Sequence, residues 1–180
     1  MRMKFFKQFF LWFGSAIAVV LLHFATTALL NTPWSHINTI FIFLILFLLI
    51  KESGVVIWMS FIAHFFIELY TANPFGVILF SGTLATLLAF WLYQYFFTNQ
   101  SWYTATAVSF MTIVIYRILY TGSLGAMSIF LNIELPPWRF LLVTYGWEIL
   151  FTTIVTAFIY FLIMQWKSPK RYERIRFIRH

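Results

Sequence analysis

Long apolar runs, nearly free of charge, follow one another from Gln8 to Trp166, and that succession constrains the fold more than any motif in the chain. A helix crossing a bilayer needs about 20 mostly apolar residues, with a range of roughly 17–25. Runs of that kind lie at about 8–30, 36–50, 54–70, 75–97, 102–121 and 138–166. Turn-forming segments separate them: Asn31-Thr-Pro-Trp-Ser35, Lys51-Glu-Ser-Gly54, Thr71-Ala-Asn-Pro-Phe-Gly76, Thr98-Asn-Gln-Ser101 and Pro136-Pro137. Proline and glycine end helices, and a proline in a first turn does no harm because its missing N–H has no partner there anyway. Composition agrees. Hydrophobic residues make up 62% of 180 and charged residues 9%, against about 45–50% and about 25% in soluble domains. A soluble fold of this size cannot hide so much apolar side chain, so lipid is the expected solvent.

The expected fold is all-α: a polytopic integral membrane protein of six transmembrane helices in one domain, followed by a basic tail over 167–180. The first run is too long for a signal-peptide core and lacks a clear small-x-small cleavage site, so it reads as a retained helix. The run before Lys51 is the shortest, and a re-entrant hairpin is the competing reading of that part. Gly122 and Gly125 are expected to kink or end the fifth helix, leaving 126–132 as a second short piece.

Charge placement orients the chain. Nine of the twelve Lys and Arg residues lie in the first seven or last fourteen positions. With the N-terminus inside, the inner segments carry Arg2, Lys4, Lys7, Lys51 and the tail, and the outer loops carry only Arg139. The positive-inside rule therefore puts both termini in the cytoplasm. Lys167, Lys170, Arg171, Arg174, Arg176 and Arg179 form a fringe suited to the anionic lipids of an inner leaflet. Most of the 24 Phe are not interleaved with basic residues, so nucleic acid is not the expected partner.

Charges inside spans cost about 2.5–3.5 kcal/mol each at the helix centre, so they carry information. His64 and Glu68 are four apart and share one face of the third helix, within reach of a local hydrogen bond. Arg117 lies in the fifth run and Glu148, deeper, in the sixth. Arg117 is expected to pair with Glu68 or Glu148, because an unpaired guanidinium has no cheap solution there. Such groups either line a polar cavity or lock helices three, five and six. The locking reading is preferred, since a proton or ion relay needs several acids along a path and the chain has no Asp. His23 in the first run needs only a hydrogen bond to a neighbouring helix.

Catalytic signatures are missing. There is no cysteine, no HExxH, no GxSxG, no P-loop and no GxGxxG, so no enzyme, metal or cofactor is expected. Small residues recur every four positions at Ser81, Ala85 and Ala89, and again at Ala105 and Ser109. They allow helices to approach closely, inside the chain or across a homodimer.

The stretch from Ile37 to Leu119 resembles the rod shape-determining protein D family, a small membrane subunit of the bacterial cell-elongation machinery. The shared order is a short aliphatic span (Ile40 to Ile50), a basic turn (Lys51-Glu-Ser-Gly54), a helix ending in an acid (Glu68) and the turn Asn73-Pro74-Phe75-Gly76. Glu68 stands where the family usually carries Asp. The resemblance implies a non-enzymatic scaffold of the cytoplasmic membrane that regulates peptidoglycan synthesis and cell shape. It implies association with the bitopic shape-determining protein C, and through it with a transpeptidase and a glycosyltransferase. It also implies a fold similar to the six-helix substrate-binding subunit of energy-coupling-factor transporters. That similarity raises an alternative, a vitamin-type binding subunit contacting ligand through Glu68, Arg117 and Glu148. A binder would show a closed polar pocket of roughly 300 Å3 or more, whereas a scaffold would show a filled core and an apolar lateral groove. His64, Glu68, Asn73, Pro74, Gly76, Arg117 and Glu148 are the candidate polar cluster or partner site on either reading.

Overall fold

A computed structural model describes residues 2–97, 101–131 and 137–167. Of the described residues 88% are helical, and none of them forms a strand. The helices are α1 (Arg2–Leu29), α2 (Thr39–Lys51), α3 (Val55–Tyr70), α4 (Val77–Phe96), α5 (Trp102–Leu131) and α6 (Trp138–Lys167), with a 3-10 turn at Trp34–His36 before α2. Four of them contain segments long and apolar enough to cross a membrane: Phe10–Leu29, Val77–Phe96, Trp102–Phe130 and Trp138–Trp166. Helices α2 and α3 are apolar but shorter.

The outside of the bundle is aromatic and aliphatic, and much of its polarity is inside. Trp58, Phe61, Phe65, Leu69 and Tyr70 lie exposed along α3, and Leu142, Leu150, Ile154, Phe158 and Leu162 along α6. Ser60, His64, Glu68, Thr86, Ser109, Thr112, Glu148, Thr152 and Thr156 are buried. Water rewards the opposite distribution, so this arrangement suits a lipid surround.

Helix α2 forms the axis of the bundle and touches all five other helices. Its residues Ile40, Phe41, Leu44, Ile45, Leu48 and Leu49 are buried almost completely. At 13 residues it is only about 20 Å long, but a helix sheathed by protein need not match the thickness of the hydrocarbon. Both of its ends are capped. The Asn38 side chain accepts from Phe41 N, and Glu52 takes a left-handed conformation (φ 50°) whose N–H donates to Leu48 O at 2.8 Å. Lys51 in the last turn complements the carbonyl end of the helix dipole.

The third and fourth helices run side by side. Glu68 meets Leu79 near the start of α4, and Glu52, just before α3, meets Tyr93 near its end. The small stripe of α4 (Ser81, Ala85 and Ala89) is buried within this chain, as are Ala105 and Ser109 of α5. These faces are used up internally, so a homodimer would have to use other surfaces.

Three boundaries depart from the sequence reading. The first helix begins at Arg2, ahead of the expected start near Gln8. The second helix starts at Thr39, because Trp34–His36 forms the separate 3-10 turn. The fifth does not end near Gly122; it continues unbroken through Gly122 and Gly125 to Leu131. A glycine costs a helix only about 1 kcal/mol relative to alanine, and backbone that leaves the helix in an apolar surround loses hydrogen bonds worth more. Tyr120 lies level with Asn73 of the α3–α4 turn. The residues of α5 beyond it therefore carry the α5–α6 pair roughly 16 Å past that turn.

Candidate functional site

The end of the bundle that carries the 31–38 and 71–76 connections holds a polar centre built by three helices. Asn38 anchors it. Its backbone N–H donates to Thr152 Oγ1 at 3.0 Å, and its side-chain Nδ2 donates to Glu148 Oε1 at 2.8 Å. Its Oδ1 is already taken by the first turn of α2. One asparagine therefore caps α2 and fixes a carboxylate of α6. Glu148 Oε2 accepts from both Nε and Nη2 of Arg117 on α5. Of the two carboxylates within reach of Arg117 in sequence terms, Glu148 is the one it pairs with.

The guanidinium is enclosed by aromatic rings. Its carbon lies 4.4 Å from the centroid of Tyr145, 5.1 Å from Tyr116 and 5.6 Å from Tyr120, distances at which ring faces attract a cation. The rings are tethered in turn. Tyr120 OH accepts from Asn73 Nδ2 at 3.1 Å, and Thr121 Oγ1 donates to Tyr145 OH at 3.3 Å. Beside the ion pair lies a half-open cleft of about 260 Å3, walled by α1, the 35–38 segment, α3, α4, α5 and α6. His23 lines it and shares a 3.1 Å hydrogen bond with Thr39 Oγ1 through Nδ1.

Glu68 has a different task. Its Oε2 accepts from Leu79 N at 2.6 Å. The residue at the N-cap of α4 is Gly76, which has φ +100° and no side chain to cap with. The acid at the end of α3 therefore satisfies an orphan N–H at the start of α4, where the helix dipole also favours a negative charge. Asn73 ties this corner to α5 through Tyr120, and Pro74 O accepts from Val77 N. The second oxygen of Glu68 is buried without a partner among the described residues.

His64 joins neither group. Its Nδ1 contacts Ser60 O at 2.8 Å and Ser60 Oγ at 3.1 Å, so its local partner is four residues before it and not Glu68, four after. Ser60 Oγ also reaches Thr86 Oγ1 at 2.8 Å and Gly82 O at 3.2 Å. The ring lies on the backbone of α4: a Cβ added to Gly82 would sit 2.1 Å from His64 Cδ2. Ser60 and His64 stand at the distance of a nucleophile and its base, but both are sealed in the core. No substrate carbonyl reaches that hydroxyl.

The seven candidate residues thus divide into a pair (Arg117 and Glu148), a helix-joining corner (Glu68, Asn73, Pro74 and Gly76) and a buried knot (His64). Asn38, Tyr116, Tyr120, Tyr145, Ser60 and Gly82 are among the participants that sequence reasoning missed. Asn38 precedes an apolar run, which is a capping signal, and Ser60 is one helical turn from His64. Among the described residues no three His, Asp or Glu side chains are grouped to hold a metal. Of the basic fringe, Lys167 closes α6, while Lys170, Arg171, Arg174, Arg176 and Arg179 lie outside the described residues. No family model, no curated protein and no solved structure matches this chain.

Proposed function

We propose that the protein is a non-enzymatic scaffold of the bacterial cytoplasmic membrane, with six passes and both termini inside. Its task on this reading is to organise cell-elongation enzymes through a bitopic partner. The observation that carries the reading is an apolar lateral groove of about 460 Å3 between α1 and α3, lined by Ile17, Val20, Leu21, Phe24, Phe66 and Tyr70. A groove of aliphatic and aromatic side chains on the outer wall of a membrane bundle suits the single helix of a bitopic protein, which would gain packing contacts there that lipid tails make less well.

Three further points support it. The interior charges are engaged in holding helices together, by the Arg117–Glu148–Asn38 bridge and the Glu68 cap. The polar cleft is half-open and smaller than the closed pocket of roughly 300 Å3 or more that suits a vitamin-type ligand. The order from Ile40 to Gly76 resembles the rod shape-determining protein D family. The six-pass reading draws support from the register, since α3 runs beside α4 over much of its length.

Affinity purification of the full chain in a mild detergent tests the reading. The expected result is co-recovery of a bitopic membrane protein with cell-wall synthases, reduced when Leu21→Trp fills the groove. Recovery of an ATPase pair without cell-wall enzymes would overturn it in favour of a transport subunit.

A further inference from the structure

The cleft beside Arg117 has a chemistry that the scaffold reading does not use. Each acceptor atom of its ion pair already has a partner. Glu148 Oε1 is held by Asn38 and Oε2 by Arg117, while Asn38 Oδ1 is held by Phe41 N. Donors remain. A guanidinium carries five N–H groups; two go to Glu148, and three have no partner among the described residues. Tyr120 OH accepts from Asn73, which leaves its own hydrogen to give. Ser35, His36 and His23 line the same space, and the Ser35 hydroxyl, the His36 ring and His23 Nε2 have no protein partner among the described residues; Nε2 donates in the tautomer whose Nδ1 accepts from Thr39.

Exposure sets the sign of the charge that the cleft presents. The Arg117 side chain is 20% exposed and that of Glu148 is 3%, so a visitor meets the cationic end of the pair. The other titratable side chains lining the cleft are two histidines and two tyrosines. Since Glu148 still cancels one unit of charge, a dianion would be poorly compensated. A singly charged oxyanion matches both the surplus of donors and the accessible sign. A volume of about 260 Å3 holds a small molecule or a headgroup, below the roughly 300–1,000 Å3 typical of drug-sized ligands.

We propose that this cleft is a binding site for a singly charged oxyanion, a carboxylate or a phosphodiester, gripped by Arg117, with Glu148 and Asn38 holding the guanidinium in place. Ser35, Tyr120, His23 and His36 supply the surrounding polar contacts. The inference does not depend on the scaffold reading, because a scaffold and a transport subunit would both accommodate such a site.

Full-length protein in a neutral maltoside detergent tests it, with native mass spectrometry and thermal unfolding as readouts. Propionate and dimethyl phosphate probe free monoanions. Phosphatidylglycerol, set against a diacylglycerol with the same tails, probes a lipid headgroup. The expected result is saturable binding of at least one anionic probe. Binding of a soluble probe identifies a free ligand; binding of phosphatidylglycerol alone identifies a lipid. Since the basic tail also attracts anionic lipid, the criterion is the difference between the wild type and a cleft variant with the tail intact. The double variant Arg117→Gln/Glu148→Gln should lower affinity about tenfold or more. Should that variant fail to fold, Ser35→Ala/Tyr120→Phe, which leaves the ion pair alone, should lower it about fivefold or more, the loss of two neutral hydrogen bonds. Equal binding by the wild type and the folded variant, or no saturable binding of any probe, would overturn the proposal.

Discussion

Two buried polar groups in this bundle, one around His64 and one around Arg117, use similar materials to different ends. The knot of Ser60, His64 and Thr86 is closed against Gly82 and leaves no space beside it. The bridge of Asn38, Glu148 and Arg117 is as well connected, yet it borders a cleft and keeps donors in reserve. Buried polarity in an apolar surround is costly in either form. What separates packing from binding is spare hydrogen-bonding capacity next to open volume, not the presence of charge.

Substitutions can break that contrast. The largest effect is expected from Glu148→Ala, which strands a guanidinium in the bundle and should cost about 3–5 kcal/mol, read by unfolding in mixed micelles of dodecyl sulfate and maltoside. The paired change Arg117→Gln/Glu148→Gln should restore most of that loss; if it does not, the bridge contributes more than charge balance. Next is Gly82→Ala, for which the His64 ring must move away from the new methyl. The cost should be about 1–3 kcal/mol, and smaller in a His64→Ala background. Glu68→Ala removes the cap of α4 and should cost about 1–2 kcal/mol, with faster amide exchange in the first turn of that helix. The smallest effect is expected at the cleft wall. Ser35→Ala should change stability by less than about 0.5 kcal/mol while weakening oxyanion binding, which would separate the two polar groups most cleanly.

Six helices were legible because apolar runs and turn residues alternate along the chain. Arg117 was legible as a cost needing a remedy, but Glu68 and Glu148 were equally open as its partner until the fold set Glu148 beside it. The role of Glu68 was not, because it depends on the fold bringing the end of α3 against the start of α4, where Gly76 leaves a vacancy that no local side chain fills. Likewise His64 and Glu68 share a helix face in principle, yet Ser60 lies closer to Nδ1 and takes the contact. The continuity of α5 was hidden by weighing Gly122 and Gly125 as they behave in water. No atom stands within 4 Å of a Cβ at either site, so packing does not require these glycines, and in an apolar surround they are simply tolerated.

Helix lengths have a consequence for the surrounding membrane. In the six-pass arrangement, α5 and α6, at 30 residues each, stand about 45 Å tall, and α3, at 16, about 24 Å. A bilayer meeting this protein therefore meets a high wall on one flank and a low one on another. Lipid must thin beside α3 or the protein must lean, at a fraction of a kcal/mol per Å of mismatch. The apolar groove lies where the short α3 meets the longer α1. A partner with a short membrane helix would relieve that thinning by replacing strained lipid, so membrane thickness itself would help select what settles there.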